Sequence, residues 1–133
     1  MQTHSMHHTL SKDERLHGKT DIEHLLAQGH YGNVPGIRFC YAKGDNTDHP
    51  RILVSVPKKF FKRAVKRNLL KRRIREAYRL QKENMPANID VLITYSTKQI
   101  MSFQDIYQRM TEMMCIIASN LKSDSSQNGN EQI

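Results

Sequence analysis

One segment of the chain, residues 58–82, constrains the fold most because it must be strongly charged and packed at the same time. It reads KKFFKRAVKRNLLKRRIREAYRLQK and holds 12 of the 21 Lys and Arg residues of the 133-residue chain, with Glu76 as its single acidic residue. At about 100° per residue, its basic and apolar side chains separate onto two sides of a helix, which a disordered basic tail would not show. The segment therefore predicts one helix, from about residue 62 to about residue 82, that packs its apolar side on a core.

The two sides of this basic helix differ in chemistry. Within an arc of about 140°, the polar side is predicted to carry Arg67, Asn68, Lys71, Arg72, Arg75, Tyr78 and Arg79. The apolar side is predicted to carry Leu69, Leu70, Ile74, Ala77 and Leu80. Basic residues four apart rise about 6 Å per step, close to the phosphate repeat of a nucleic-acid strand, and Arg grips phosphate at two points. A solvated helix would mix charges of both signs, so the pattern favours nucleic-acid binding.

The chain before the basic helix is predicted to form one helix and two strands. Residues 20–28 have helical spacing, with Thr20 and Glu23 as a capping box and Gly29 as the stop. After a Gly/Pro/Asn linker, GIRFCYA at residues 36–42 alternates as a half-buried strand. The turn-rich residues 43–50 are predicted to close a hairpin with a second strand at residues 52–56, which Pro57 ends.

The chain after the basic helix is predicted to add a strand and a helix. Residues 89–95 are apolar at nearly every position, as in a central strand. Ser102 is a candidate cap for a helix with an apolar stripe that is expected to lie in the core, namely Phe103, Ile106, Met110, Met113, Ile117 and Leu121. The order helix, strand, strand, helix, strand, helix predicts an α+β fold in which a small sheet packs with helices.

Length and composition predict one cytoplasmic domain. The polar, aperiodic residues 1–9 and 122–133 are expected to be disordered tails around a single domain at residues 10–121. His4, His7 and His8 in the first tail are interpreted as incidental rather than as a metal site. No apolar run approaches the roughly 18 residues of a membrane span, and no signal core is present at the start. Cys40 and Cys115 match no metal or redox spacing and are expected to be buried, reduced thiols.

The sequence contains no motif for chemistry performed by the protein itself. It has no Gly-rich phosphate loop, no HExxH and no GxSxG. Asp45 and Asp48 lie in a predicted turn, where Asp is favoured by turn geometry, and they make a poor two-metal site. We therefore predict no catalytic residue and no metal site in the protein.

The run AVKRNLLKRRIRE resembles the signature of the protein subunit of bacterial ribonuclease P. That signature is an Ala-Val-like pair, then Arg-Asn-basic, Lys-Arg and Arg-Glu, and the matching residues are Ala64, Val65, Arg67, Asn68, Lys71, Arg72, Arg75 and Glu76. The resemblance extends from about Leu16 to Leu121, and SVPKK at residues 55–59 is similar to the family's strand end before the helix.

The resemblance implies a fold and a role. The basic helix would lie in a left-handed crossover between two parallel strands. The RNA subunit, with magnesium held mainly by that RNA, would remove the 5′ leader of precursor tRNA. The protein, monomeric alone, would bind RNA through Arg67, Asn68, Lys71, Arg72 and Arg75, with Lys58 and Lys59 near the leader. The helical spacing described above adds Arg79 to the predicted RNA-binding residues. The leader would lie in a cleft between the first helix and the sheet.

The chain departs from the family pattern at a few positions. Leu69 stands where a basic residue is usual, and Arg73 stands where an apolar residue is common. The first helix usually presents aromatic residues to the leader, whereas this chain has Ile22 and Leu26 at those places. Phe39 and Tyr41 on the first predicted strand are therefore candidates for stacking on unpaired bases, with burial in the core as the alternative.

Two other functions fit parts of the same pattern. A ribosome-associated or other structural RNA-binding module would prefer ribosomal RNA over the ribonuclease P RNA. A basic amphipathic helix on an anionic membrane would need its apolar side chains to be available to lipid rather than to the core. Whether the apolar side of the basic helix is buried in the core or open to lipid distinguishes membrane binding from RNA binding.

Overall fold

The computed structural model describes residues 15–16, 18–44, 50–86 and 88–131, with side chains as far as Leu121, and these form three α-helices and one four-stranded sheet. In chain order the elements are α1 (Lys19–Gln28), β1 (His30–Val34), β2 (Ile37–Lys43), β3 (Arg51–Ser55), α2 (Ala64–Gln81), a 3₁₀ turn (Lys82–Asn84), β4 (Ile89–Tyr95) and α3 (Phe103–Glu131). The predicted α+β class is confirmed.

The sheet has the strand order β1-β2-β4-β3. Strand β4 pairs antiparallel with β2 and parallel with β3, so this segment, which is apolar at nearly every position, is central, as predicted. Helix α2 follows β3 and precedes β4, and it therefore forms the crossover between two adjacent parallel strands. A parallel pair needs such a crossover because its strands start at the same edge of the sheet.

Two strand predictions were wrong. The predicted linker contains strand β1, whose residues lack apolar alternation but pair with β2 across a tight turn in which Gly36 has φ 82°. Strands β2 and β3 do not form a hairpin, because the more apolar β4 lies between them. Turn composition at residues 43–50 predicts a reversal of the chain but not which strand becomes the neighbour. Asp45 and Asp48 lie outside the described residues.

The helix ends differ in how well they were predicted. Helix α1 begins at Lys19 after Gly18, without a side-chain cap, so the capping box of Thr20 was wrong since Thr20 already lies inside the helix. The stop at Gly29 is confirmed, because its amide donates to Leu25 O at 2.7 Å. The cap at Ser102 is also confirmed, with Asp105 N donating to Ser102 Oγ at 3.1 Å.

The last helix is longer than the sequence predicted. Its backbone continues to Glu131, past the domain boundary that we expected at residue 121. Extending an existing helix costs far less than nucleating a new one, so polar residues can follow a packed helix as further turns. The predicted tail at residues 1–9, with its three histidines, lies outside the described residues.

The main core lies between one face of the sheet and helices α2 and α3. It includes the strand residues Phe39, Val91 and Ile93, the α2 residues Leu70 and Ile74, and the predicted α3 stripe at Ile106, Met110, Met113 and Ile117. Cys115 projects away from that stripe and is exposed, so its predicted burial was wrong, whereas Cys40 is buried as predicted.

A smaller cluster covers part of the opposite face of the sheet. Leu25 of α1, Leu16 and Cys40 form its centre, and Ile22, Leu53 and Leu92 pack around them. Helix α1 and helix α2 therefore lie on opposite faces of the sheet. Within the described residues, no helix combines the length and the apolar character that a bilayer span requires.

Candidate nucleic-acid interface

Helix α2 is rotated about its axis relative to the predicted orientation. Tyr78, expected on the polar side, is fully buried, and Leu80, expected in the core, is 45% exposed. Gln81 is also buried, because its side-chain amide donates to Tyr107 O at 3.2 Å and accepts from Thr111 Oγ1 at 2.8 Å. Partners on α3 thus hold Gln81 of α2 in a buried position, which the spacing of apolar residues alone does not predict.

The outward side of α2 carries three basic side chains that form no ion pair within the described residues, namely Lys71, Arg72 and Arg75. Asn68, Arg72 and Arg75 are exposed and Lys71 is half-buried. Partial burial, and then the charge of Arg15, lower the pKa of Arg75, so two like charges lie close together. Such a surface is stabilised by an anion.

Arg15 lies near Arg75 of α2 because the chain before α1 joins the sheet. Arg15 forms a parallel bridge with Ile52 at the edge of β3, and Leu16 N donates to Ile52 O at 2.7 Å. The sequence around Arg15 does not predict this position, since nothing in the local pattern links Arg15 to a helix sixty residues later in the chain. We call Arg15, Lys58, Lys59, Asn68, Lys71, Arg72 and Arg75 the basic surface; Lys58 and Lys59 are exposed between β3 and α2.

Two predicted RNA-binding arginines are engaged within the protein. Arg67 donates through Nη1 to Phe61 O and Lys62 O, at 2.8 and 2.7 Å, and so holds the turn before α2. Arg79 donates to both carboxylate oxygens of Glu76, at 3.0 and 2.5 Å. The predicted row at residues 67, 71, 75 and 79 is therefore not four equivalent cations. Whether any of them contacts RNA stays a prediction.

Arg73, one of the departures from the family pattern, also has a structural explanation. Its Nη1 donates to Met101 O at 2.6 Å and so joins α2 to the loop that precedes α3. A charged residue fits beside the apolar side of the helix because its head group reaches this carbonyl while its stem packs.

We expect Glu76→Gln to raise the affinity for RNA about fivefold at low salt, because it removes a nearby negative charge and the ionic partner of Arg79. The measurement is filter binding at low and high salt, where screening should abolish the gain. Glu112→Gln is the matched control, since Glu112 pairs with Arg109 on α3 in the same i,i+3 arrangement. Equal gains in both variants would contradict a specific role of the surface on α2.

The face of the sheet beside α1 is partly open. Strand register places Asn33, Arg38, Thr94 and Ser55 side by side across all four strands. Asn33 and Arg38 are exposed and the other two are half-buried. We call these four residues the open row. The next row, which contains Cys40, Leu92 and Leu53, is the one on which α1 packs.

The open row lies beside α1 on the same face of the sheet, and we call the region between them the cleft, which is where the resemblance places the leader. Ile22 is half-buried and packs against the small cluster, and Leu26 is 41% exposed. Phe39 and Tyr41, the other predicted cleft residues, lie on the opposite face, because side chains alternate along a strand. They are 2% and 3% exposed, and Tyr41 Oη accepts from Asn120 Nδ2 at 2.9 Å. Their assignment to the cleft was wrong, and core burial is correct.

These features define a class, namely small α+β proteins with an exposed basic crossover helix on one side of a sheet and a cleft beside the first helix on the other. Comparison with known proteins then identifies the family. The family model for Ribonuclease P matches residues 10–117. The Ribonuclease P protein component of Porphyromonas gingivalis is 34% identical over 128 residues, covering 90% of this chain and 93% of that protein. That of Aliivibrio fischeri is 31% identical over 108 residues, covering 81% and 92%.

A solved structure agrees with these sequence relatives. The RNase P protein of Staphylococcus aureus superposes with a TM-score of 0.69 at 25% identity, covering 79% of this chain and 94% of that chain. The chain belongs to the ribonuclease P protein family, and the resemblance in the basic helix is confirmed.

Proposed function

We propose that this chain is the protein subunit of a ribonuclease P ribonucleoprotein, which assists removal of the 5′ leader from precursor tRNA while the RNA subunit performs the hydrolysis. The observation that carries the proposal is that Lys71, Arg72 and Arg75 on the outward side of α2 form no ion pair with a carboxylate among the described residues, in a chain of this family. The proposed place of action is the cytoplasm.

The basic surface is proposed to bind the RNA subunit through its phosphates. Lys71, Arg72 and Arg75 lie on two successive turns of one helix, so little backbone order has to be gained on binding. Each neutralised phosphate releases counterions, which makes the affinity strongly dependent on salt. The buried apolar side of α2, with Leu70 and Ile74 at 0% exposure, argues against insertion into a membrane surface.

The cleft is proposed to hold the single-stranded leader. The open row offers an Arg guanidinium, an Asn amide and two hydroxyls, which suit the phosphates and sugars of a strand that is not paired. Lys58 and Lys59 follow β3 just beyond Ser55, so positive charge continues from the open row towards α2. Magnesium is proposed to be held mainly by the RNA, with the protein lowering the requirement by supplying fixed positive charge.

The test is cleavage of a precursor tRNA at low magnesium by the cognate catalytic RNA, with and without this chain, beside a reaction that contains the protein alone. We expect cleavage when RNA and protein are both present and none with protein alone. If the chain leaves cleavage unchanged but binds RNA tightly, and ribosomal RNA displaces the catalytic RNA, a structural RNA-binding module replaces this proposal.

A further inference from the structure

One aromatic side chain is exposed beside the cleft. Of the large apolar side chains that are exposed in the described residues, Tyr31 alone is aromatic, at 68% exposure. It lies on β1, opposite Cys40 in the strand register, and alternation along the strand directs it to the face that carries α1. A Tyr ring with this exposure contributes little to a core, and its position calls for another explanation.

The ring of Tyr31 is held in place. Its hydroxyl donates to Leu26 O at 2.9 Å, which ties the tip of the ring to the last turn of α1. The pKa of the Tyr31 hydroxyl is raised by desolvation and by the neighbouring Cys40 thiol, in agreement with a ring that lies over the small cluster. Leu26 is itself exposed, so a tethered aromatic ring and an aliphatic side chain form one apolar patch at this corner of the cleft.

We propose, on the basis of the function proposed above, that Tyr31 with Leu26 is a stacking platform for one unpaired base of the precursor tRNA leader. Aromatic side chains on sheets bind bases of single-stranded nucleic acid by stacking, whatever the base. The platform supplies from β1 the aromatic contact that the family usually places on the first helix, where this chain has Ile22 and Leu26.

The surroundings favour a nucleic-acid strand as the occupant of this patch. Asn33, two residues after Tyr31 on the same face, begins the open row, which continues through Arg38 to Ser55 at the other edge. Strands about 4.8 Å apart place β1 and β3 about 14 Å from each other. A base on Tyr31 would thus lie a few nucleotides away from Lys58 and Lys59. The platform therefore contacts one particular region of the leader rather than the RNA as a whole.

The absence of Trp from the chain makes the contact directly measurable. Tyr31→Trp would be the only Trp of the reconstituted complex with the RNA subunit, and we expect its fluorescence to be quenched by precursor tRNA but not by mature tRNA that lacks a leader. Tyr107→Trp, a half-buried position on α3, is the control and should not respond to the leader. Equal signals from Tyr31→Trp with and without a leader would overturn the proposal.

Affinity provides the second readout. We expect Tyr31→Leu to weaken binding of leader-bearing precursor about tenfold and to leave the affinity for mature tRNA unchanged. Tyr31→Phe should retain most of the affinity for the precursor. Suppose that Tyr31→Leu binds the precursor as tightly as the unmodified chain does, and that the unmodified chain restores cleavage. The proposed stacking platform is then wrong, but the proposed function stands. If the unmodified chain neither restores cleavage nor distinguishes precursor from mature tRNA, the proposed function fails as well.

Discussion

Replacing Lys71, Arg72 and Arg75 together by Ala should weaken binding to the RNA subunit about 100-fold at physiological salt and lower the slope of log affinity against log salt by about 2 to 3. The reason is that each of these side chains is proposed to neutralise a phosphate, and none forms an ion pair with a carboxylate within the described residues. Filter binding across a series of salt concentrations gives both quantities.

The control has to remove the same charge from elsewhere. Lys19, Lys43 and Lys98 are exposed and lie outside the basic surface, so their joint replacement by Ala changes the net charge equally. This control should weaken binding only a few-fold, with little change in slope. Equal losses in the two triple variants would mean that RNA responds to the overall charge of the protein, and the assignment of α2 as the interface would fail.

The elements that the sequence predicted best are those whose packing is repeated along the chain. Every second residue of the central strand β4, from Ile89 to Tyr95, lies in the main core, and the stripe on α3 recurs at every turn because one side of that helix meets the sheet. In such elements many residues face the same environment. The apolar pattern therefore still predicts the element when one residue departs from it. The charge pattern that predicted α2 is of the same kind.

The parts that could not be predicted depend on single contacts between distant residues. Strand β1 exists because β2 offers it a partner, and β2 and β3 are separated because β4 competes for both. The orientation of α2 depends on Gln81 finding Thr111 and Tyr107 on α3. Tyr31 was overlooked for the same reason: only the pairing of β1 with β2 brings it to the cleft side of the sheet.

Asp90→Ala is expected to lower the free energy of unfolding by about 3 kcal/mol, because it leaves a largely buried guanidinium without its partner. Arg51 Nε and Nη2 donate to the two carboxylate oxygens of Asp90 at 2.9 and 2.8 Å, and the two side chains are only 20% and 10% exposed. These hydrogen bonds raise the pKa of Arg51. The arginine stays charged even without Asp90, because the ordinary pKa of a guanidinium lies far above neutral pH. Urea denaturation measures the loss.

Arg51 also reaches the helix that bounds the cleft. Its Nη1 lies 3.5 Å from Asp21 Oδ2 of α1, a contact that is half exposed and should by itself contribute less than about 1 kcal/mol. Asp21→Ala is therefore the matched control, with nearly unchanged unfolding. If Asp90→Ala unfolded at the same urea concentration as this control, the pair would contribute nothing to stability.

A double variant separates stability from the position of α1. Replacing Arg51 by Met and Asp90 by Leu removes both buried charges and should recover most of the lost stability, since apolar residues of similar size can replace a buried ion pair. It does not restore the contact between Arg51 and Asp21. We therefore expect this variant to fold normally yet to bind leader-bearing precursor tRNA less tightly, while its affinity for the RNA subunit is retained. Loss of both affinities would instead place the effect in the sheet as a whole, because the basic surface and the cleft lie on opposite sides of it.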